Sequence, residues 1–373
     1  MRILFLDTYP IRRGAQVFVS ELSEELDKLG HQTKKVYLYK SEPNSVMVNL
    51  TSNDVVLEGN PKHFFEKIPS FQPNLLKGII HEVNNFNPDV ILLNGSRTLK
   101  YAASAKLFLP KKIKWISRLI DNAEYWNTGF FTKLYYRYWV IPTFDATVAV
   151  SEASRISMVR HYNFKKPTKV IHRAFNIDKF QTTLSKEKAR EQLKLNPEDQ
   201  VLLFLGNITA QKRPDKFLTI VQEMKKVRPN IKALVVGSGV DLHKYTEVME
   251  QHNSYILHMG YQKDVSLYLA ASDVLVLTSD TEGLPGVVLE AGYFEVPTVS
   301  SDVGGIRECL LDEQTGFIVP DNSITGFVSK INTLLDNPKL RIEMGQKSKK
   351  LVVERFNFKT ITASYIDFFT SVK

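Results

Sequence analysis

Only one cysteine, Cys309, stands in 373 residues. No intrachain disulfide can form, and the expectation is a buried structural thiol in a reducing compartment. No apolar run approaches the ~18 residues that a membrane-spanning helix needs. The opening Met1-Arg-Ile-Leu-Phe-Leu meets Asp7 too soon to serve as a signal-peptide core, so the expected location is cytoplasmic. Neither apolar segment that opens an α/β series is followed by G-x-G-x-x-G, which disfavours a dinucleotide-dependent dehydrogenase. Zinc-finger spacing, a glycine–aromatic RNA motif and a basic zipper are all lacking, so nucleic acid is not an expected partner. No His/Asp cluster suggests a metal site.

What is present is a hydrophobic fraction of 43%, enough for ordinary cores, over a length that favours two domains. The net charge of +9 is unevenly placed. Residues 1–180 hold 26 Lys and Arg against 16 Asp and Glu, a balance of +10, and residues 181–373 hold 23 against 24, a balance of −1. A basic half fits anionic lipid, an acidic substrate or simply a well-solvated surface.

Residues 2–7 read as an apolar strand, then comes a loop with Arg12, Arg13 and Gly14, then a helix with apolar residues at Val17, Val19, Leu22, Leu26 and Leu29. Further strands are predicted at Val36–Tyr39, Asp89–Leu93, Ile113–Leu119, Ala146–Val150 and Lys169–His172, with helices at Pro73–Phe86 and Ser151–His161. Ser41–Phe71 has no clear pattern. Gln181–Gln200 reads as a linker with a short helix. A second series follows, with strands at Val201–Leu205, Ile231–Val236, Tyr255–His258, Asp273–Leu277, Thr298–Ser300 and Phe317–Val319, and three closing helices near Ile324–Leu335, Lys339–Glu354 and Phe358–Ser371. Alternation of short apolar strands with helices predicts two doubly wound parallel sheets whose carboxyl ends face a central cleft.

The stretch richest in chemistry is Thr278-Ser-Asp-Thr-Glu-Gly-Leu-Pro-Gly-Val-Val-Leu-Glu-Ala-Gly292. It runs from a buried strand through a turn with Gly283, Pro285 and Gly286 into a helix. Such a turn aims free N–H groups and a helix dipole at one spot, which suits an anion. Glu282 in the turn and Glu290 about one helical turn later are acceptors when ionised, so hydroxyl-rich ligands such as sugars are their natural partners. Elsewhere, Phe130-Phe-Thr-Lys-Leu-Tyr-Tyr-Arg-Tyr-Trp-Val140 interleaves aromatics with Lys133 and Arg137. Such a helix can pack on a sheet or seat a protein on a bilayer.

Glu282 and Glu290 have the E-x7-E spacing of retaining glycosyltransferases of the GT-B fold, and the string from Glu282 to Gly292 resembles glycosyltransferase family 4. So do Pro297–Glu308, Gly316–Val319, Leu205-Gly-Asn-Ile-Thr-Ala-Gln-Lys-Arg-Pro214, Ser151–Phe180 and Arg13-Gly14-Ala15-Gln16. The resemblance implies two Rossmann-like domains: an acceptor-side one at 1–180, with the helix at about 356–373 packing back on it, and a nucleotide-sugar-binding one at 181–355. It implies that Glu290 holds the ribose and Glu282 the transferred sugar, with the backbone of Gly283, Leu284, Pro285, Gly286 and Val287 completing the pocket. Gly206 and Asn207 would lie at the phosphate loop, Gly14 at the first glycine loop, and Lys212 with Arg213 would neutralise the departing diphosphate. No divalent metal or cofactor is then required, the nucleotide-sugar being a substrate. Where many members have Arg in the phosphate loop, Asn207 and Ile208 stand here; where many have a histidine near the donor sugar, Asp121 or Asn122 stands, so Asp121 joins Glu282 and Lys212 as a candidate catalytic residue. The implied reaction is retaining transfer of a hexosyl or N-acetylhexosaminyl group, preferably from a UDP-sugar, to a glycan or lipid-linked acceptor of a surface polysaccharide. The partners would be the donor, that acceptor and an anionic membrane surface on the inner face. The rival readings are a sugar-phosphate or sucrose-type synthase with a soluble acceptor, and a non-catalytic nucleotide-sugar-binding protein.

Overall fold

The computed structural model describes residues 1–41, 45–62, 72–126, 129–179 and 184–372. The chain divides into two compact units, Met1–Ala174 with Phe358–Lys373, and Phe175–Asn357. A boundary between residues 180 and 181 lies outside the described residues; by packing, the changeover comes at Ala174. Phe175 belongs to the second unit because its N–H donates to the carbonyl of Phe356 at 2.6 Å and its ring lies 5.2 Å from that of Tyr293.

The first unit is built on a seven-stranded parallel sheet: β1 (Arg2–Asp7), β2 (Gln32–Tyr39), β3 (Val55–Gly59), β4 (Val90–Asn94), β5 (Lys114–Leu119), β6 (Ala146–Ala149) and β7 (Thr168–Val170), in the order β3-β2-β1-β4-β5-β6-β7. Successive side chains of a strand face opposite ways, and the two faces have separate cores. Leu4, Leu6, Ile91 and Leu93 pack with the helices Pro73–Phe86 and Ser96–Lys106, whereas Ile3, Phe5, Val90 and Leu92 pack with the first helix, Gly14–Lys28, and the last, Phe358–Ser371. That last helix buries Phe358, Ile361, Tyr365, Phe368 and Phe369 in the first unit. At about 1.5–3 kcal/mol per large side chain, those contacts dominate the helix's placement. The expected strands are present, with ends shifted by a residue or a few. The sequence reading left Ser41–Phe71 unassigned, and β3 lies within it; an edge strand, paired among the described residues with β2 alone and half-buried, lacks the apolar run that marks the central ones.

The second unit carries β8 (Gln200–Leu205), β9 (Ile231–Val236), β10 (Ile256–Gly260), β11 (Val274–Leu277), β12 (Thr298–Ser301) and β13 (Gly316–Val319), all parallel, in the order β10-β9-β8-β11-β12-β13. Leu202, Phe204, Val274 and Val276 pack against Phe217, Ile220 and Val221 of the helix Pro214–Val227. In each sheet the strand order reverses direction beside the first strand, between β1 and β4 and between β8 and β11. Loops leaving the carboxyl ends of such strands diverge and leave room for a ligand. Cys309 is buried, and its Sγ meets the carbonyl of Ile306 at 3.4 Å. Among the described residues no helix is long and apolar enough to cross a membrane.

Candidate active site

In the second unit β8 and β11 are hydrogen-bonded neighbours, so the loops that follow them lie side by side. The chain leaves β11 through Thr278 and Ser279, both fully buried, and reaches Glu282, whose side chain is also buried. A carboxylate can be held there only if its charge is met. Glu282 Oε1 accepts from Lys212 Nζ at 2.6 Å and from Ser279 Oγ at 2.6 Å. Lys212 comes from a single 3-10 turn, Ala210–Lys212, in the loop after β8.

That turn is stitched to the β11 loop at several points. Thr278 Oγ1 bonds the carbonyls of Lys212 and Arg213, both at 3.0 Å. The N–H of Asp280 donates to the carbonyl of Gln211 at 2.9 Å, and the Gln211 amide donates to the carbonyl of Thr281 at 3.0 Å. A third loop closes from the other side. Gly304 has φ +55°, and a Cβ there would stand 1.6 Å from the carbonyl oxygen of Glu282. Only glycine can take both that conformation and that proximity. Its neighbour Gly305 donates to the carbonyl of Gly283 at 3.0 Å.

Past Glu282 the turn Gly283-Leu284-Pro285 is buried, and the helix Gly286–Tyr293 begins, its first residues Gly286 and Val287 half-buried. Glu290, also half-buried, follows one turn into it. Gly206 and the exposed Asn207 leave β8 directly above the end of β9, where a Cβ on Gly237 would lie 1.9 Å from the carbonyl oxygen of Gly206. The two adjacent cations differ in state. Lys212 sits on the buried carboxylate, while Arg213, in a left-handed conformation at φ 51°, is gripped by Asp215 at 2.8 Å and Asp280 at 3.2 Å. The hydrogen bond to Asp215 raises the pKa of an already permanent cation.

The first unit holds Gly14 and Asp121. Gly14 opens the first helix, and a Cβ on it would come 3.1 Å from Arg173 Nη1. Asp121 follows β5 and accepts from the indole N–H of Trp126 at 2.5 Å. Burial pushes its carboxyl above the usual carboxylate range, against that hydrogen bond. Beside it Asn122 is buried and meets Ser154 Oγ at 3.4 Å.

Sequence reasoning did not find Ser279, nor a buried polar network at the carboxyl ends of β1, β4 and β5. Asp7 is fully buried and accepts from Gln16 Nε2 at 2.8 Å and from Asn94 Nδ2 at 2.5 Å. Arg118 Nη1 donates to Asn94 Oδ1 at 2.9 Å, and Arg118 Nε to Tyr365 Oη at 3.0 Å. The available signal was a polar residue ending an apolar strand, as in Phe-Leu-Asp7 and Leu-Leu-Asn94.

Two parallel-sheet Rossmann-like units of this kind define the GT-B class of glycosyltransferases. A family model described as "Glycosyltransferase Family 4" matches residues 12–179, and one described as "Glycosyl transferases group 1" matches 185–351. The two matches together place the chain in glycosyltransferase family 4. It is 24% identical over 370 residues to the N-acetyl-α-D-glucosaminyl L-malate synthase of Bacillus anthracis, an alignment covering 96% of this chain and 93% of that one. The chain spans little more than half the length of some other curated relatives, 58% of one and 53% of another. Among solved structures, the sucrose-phosphate synthase of Thermosynechococcus elongatus has a TM-score of 0.85 at 18% identity, covering 99% of this chain and 98% of that one. The Anabaena protein HepE in complex with UDP and glucose has a TM-score of 0.81 at 18% identity, with 100% of both chains covered. These likenesses establish the fold.

Proposed function

We propose that the chain is a retaining, metal-independent glycosyltransferase that moves a hexosyl or N-acetylhexosaminyl group from a UDP-sugar to a glycan or lipid-linked acceptor of a surface polysaccharide. The observation that carries this reading is the buried carboxylate of Glu282 held by Lys212 and Ser279 beside a glycine turn and a helix start. Both bonds fall on Glu282 Oε1, which leaves Oε2 for hydroxyls of the transferred sugar. An ammonium has three donors, so Lys212 can keep Glu282 and still meet phosphate oxygens. As the anomeric C–O bond breaks, its electron pair goes to the nucleoside diphosphate, and the fixed charge of Lys212 meets the negative charge as it develops. Glu290 accepts from the ribose hydroxyls, the backbone of Gly283–Val287 lines the sugar, and Gly206 and Asn207 border the phosphates. Arg213, braced by Asp215 and Asp280, shapes the loop and adds field more than direct contact. In the first unit Asp121 offers a hydroxyl acceptor and Gly14 a close backbone approach.

The complexes of HepE with UDP and glucose support the choice of base. A second reading, a small soluble acceptor, is favoured by the nearly full-length similarity to a synthase whose name places the sugar on L-malate. A thermal-shift screen of UDP, GDP, ADP and dTDP tests the donor class, since a ligand that binds only the native state raises its apparent stability. Selective stabilisation by UDP is expected, and selective stabilisation by another nucleotide would replace it. Transfer should persist in excess EDTA; loss restored by magnesium or manganese would overturn metal independence.

A further inference from the structure

We propose that the helical segment 130–143 of the first unit is a docking face for an anionic phospholipid surface. It begins as the α-helix Phe130–Tyr135, widens into a π-turn at Tyr136–Val140 and ends in the 3-10 turn Ile141–Thr143. A surface helix normally turns its apolar stripe to the core and its polar stripe to water. This segment buries Tyr136, Val140 and Ile141, and yet its outward side is apolar as well. Phe130 is 70% exposed, Phe131 80%, Tyr138 70% and Trp139 53%, with Leu134 also exposed. Phe130, Leu134 and Tyr138 recur at four-residue spacing, and Phe131 and Trp139 sit one position along. The packing alternative raised by the sequence therefore accounts for four residues, the half-buried Tyr135 included, and leaves five large apolar ones in water. Single exposed apolar residues are ordinary, but a contiguous group marks an interaction surface.

The rim identifies the partner. Lys133 and Arg137 are carried by the segment itself, and Arg137 lies over the Tyr138 ring at 5.7 Å. Burial lowers the pKa of His161, on the helix Glu152–Tyr162, and the nearby Lys133 and Arg137 lower it further against Glu124. Lys166 donates to the carbonyls of Pro142 and Phe144 at 2.8 and 2.7 Å, which places a further ammonium at the end of the segment. Residues 97–173, which include it, hold fifteen Lys and Arg against four Asp and Glu. Aromatic rings that enter the headgroup region, with cations beside them to meet lipid phosphates, are the features of an interfacial helix. A symmetric pairing of two copies through this face would set one basic rim against the other, a like-charge contact that opposes it. If the acceptor is lipid-linked, the same face brings the first unit to it.

The test uses the full chain and sedimentation with vesicles of phosphatidylglycerol and phosphatidylcholine, or of phosphatidylcholine alone. Binding is expected to the anionic vesicles at low salt and not to the neutral ones. It should weaken as salt shortens the screening length from ~10 Å at 0.1 M to ~3 Å at 1 M. The double variant Phe130→Ser with Phe131→Ser removes only exposed side chains; it should melt like the wild type and partition at least about tenfold less. Brominated acyl chains should quench wild-type tryptophan emission, and Trp139→Phe should abolish that quenching. The proposal is overturned by absence of binding to anionic vesicles at low salt, by unchanged partitioning of the double variant, or by quenching that survives Trp139→Phe. Light scattering showing a wild-type dimer that the double variant dissociates would assign the face to a second copy instead. None of these readouts requires sugar transfer, so failure here leaves the donor-site reading standing, and failure of that reading leaves this one.

Discussion

The ammonium of Lys212 lies 2.6 Å from Oε1 of Glu282, across 70 residues of chain, and the carboxylate it meets is buried. The two groups assigned to the leaving diphosphate and to the transferred sugar thus hold each other in position before any ligand arrives. Such preorganisation favours catalysis, because no reorientation is needed as charge develops.

Replacing Lys212 with Ala should lower the rate of transfer by about 100–1,000-fold, the scale of one lost electrostatic contact to a developing charge. Binding of the uncharged nucleoside should change little. Steady-state kinetics and nucleoside titration of the same preparation check this, and equal losses in both would remove Lys212 from the reaction.

On the proposed reading Ser279, which donates to Glu282 Oε1 at 2.6 Å, acts through Glu282 as a positioning residue. In Ser279→Ala, kcat should fall by about 10–100-fold, the equivalent of a hydrogen bond to a charged group. The donor KM and the melting temperature should hold nearly constant. Ser279→Thr, which restores the hydroxyl, should recover most of the rate. A variant whose only defect is a lower melting temperature would show that the bond is merely structural.

Glu290→Gln keeps the size of the side chain and removes its charge. Donor affinity should weaken by about 1.5–3 kcal/mol, measured by calorimetric titration with the intact donor. Binding and turnover like the wild type would make the ribose assignment untenable.

Asp273, just before β11, joins Lys186 at 2.6 Å, Arg190 at 2.8 Å and the N–H of Val201 at 2.8 Å. Burial pulls its pKa upward, but Lys186 and Arg190 outweigh burial and leave it below the usual carboxylate value. A carboxylate with a lowered folded pKa stabilises the protein above its unfolded value, about 3.9, and that contribution disappears as pH falls through the folded value. Asp273→Asn should therefore destabilise the protein at pH 7 by about 3–5 kcal/mol, since it leaves the buried Arg190 and the partly exposed Lys186 unmatched. The difference from the wild type should narrow below about pH 4. Denaturant melts at pH 7 and pH 3 check both parts, and a gap that is the same at both would exclude the charge as its source.

The sequence by itself determined the elements and the chemistry of one loop. Val90-Ile-Leu-Leu reads as a strand covered on both faces because four successive apolar residues can be buried only that way in a parallel sheet. The loop from Thr278 to Gly292 was legible because its strand, its turn glycines, its helix and its two carboxylates are all local. Tertiary structure decided what depends on residues far apart in the chain. The pairing of Lys212 with Glu282, and the different fate of Arg213 beside it, follow from β8 lying next to β11. The link from Arg118 to Tyr365 exists only because the last helix returns to the first sheet. The aromatics of 130–139 declared themselves in the sequence, but which of them meet water depends on what their neighbours cover, and no periodicity within one short segment can specify that.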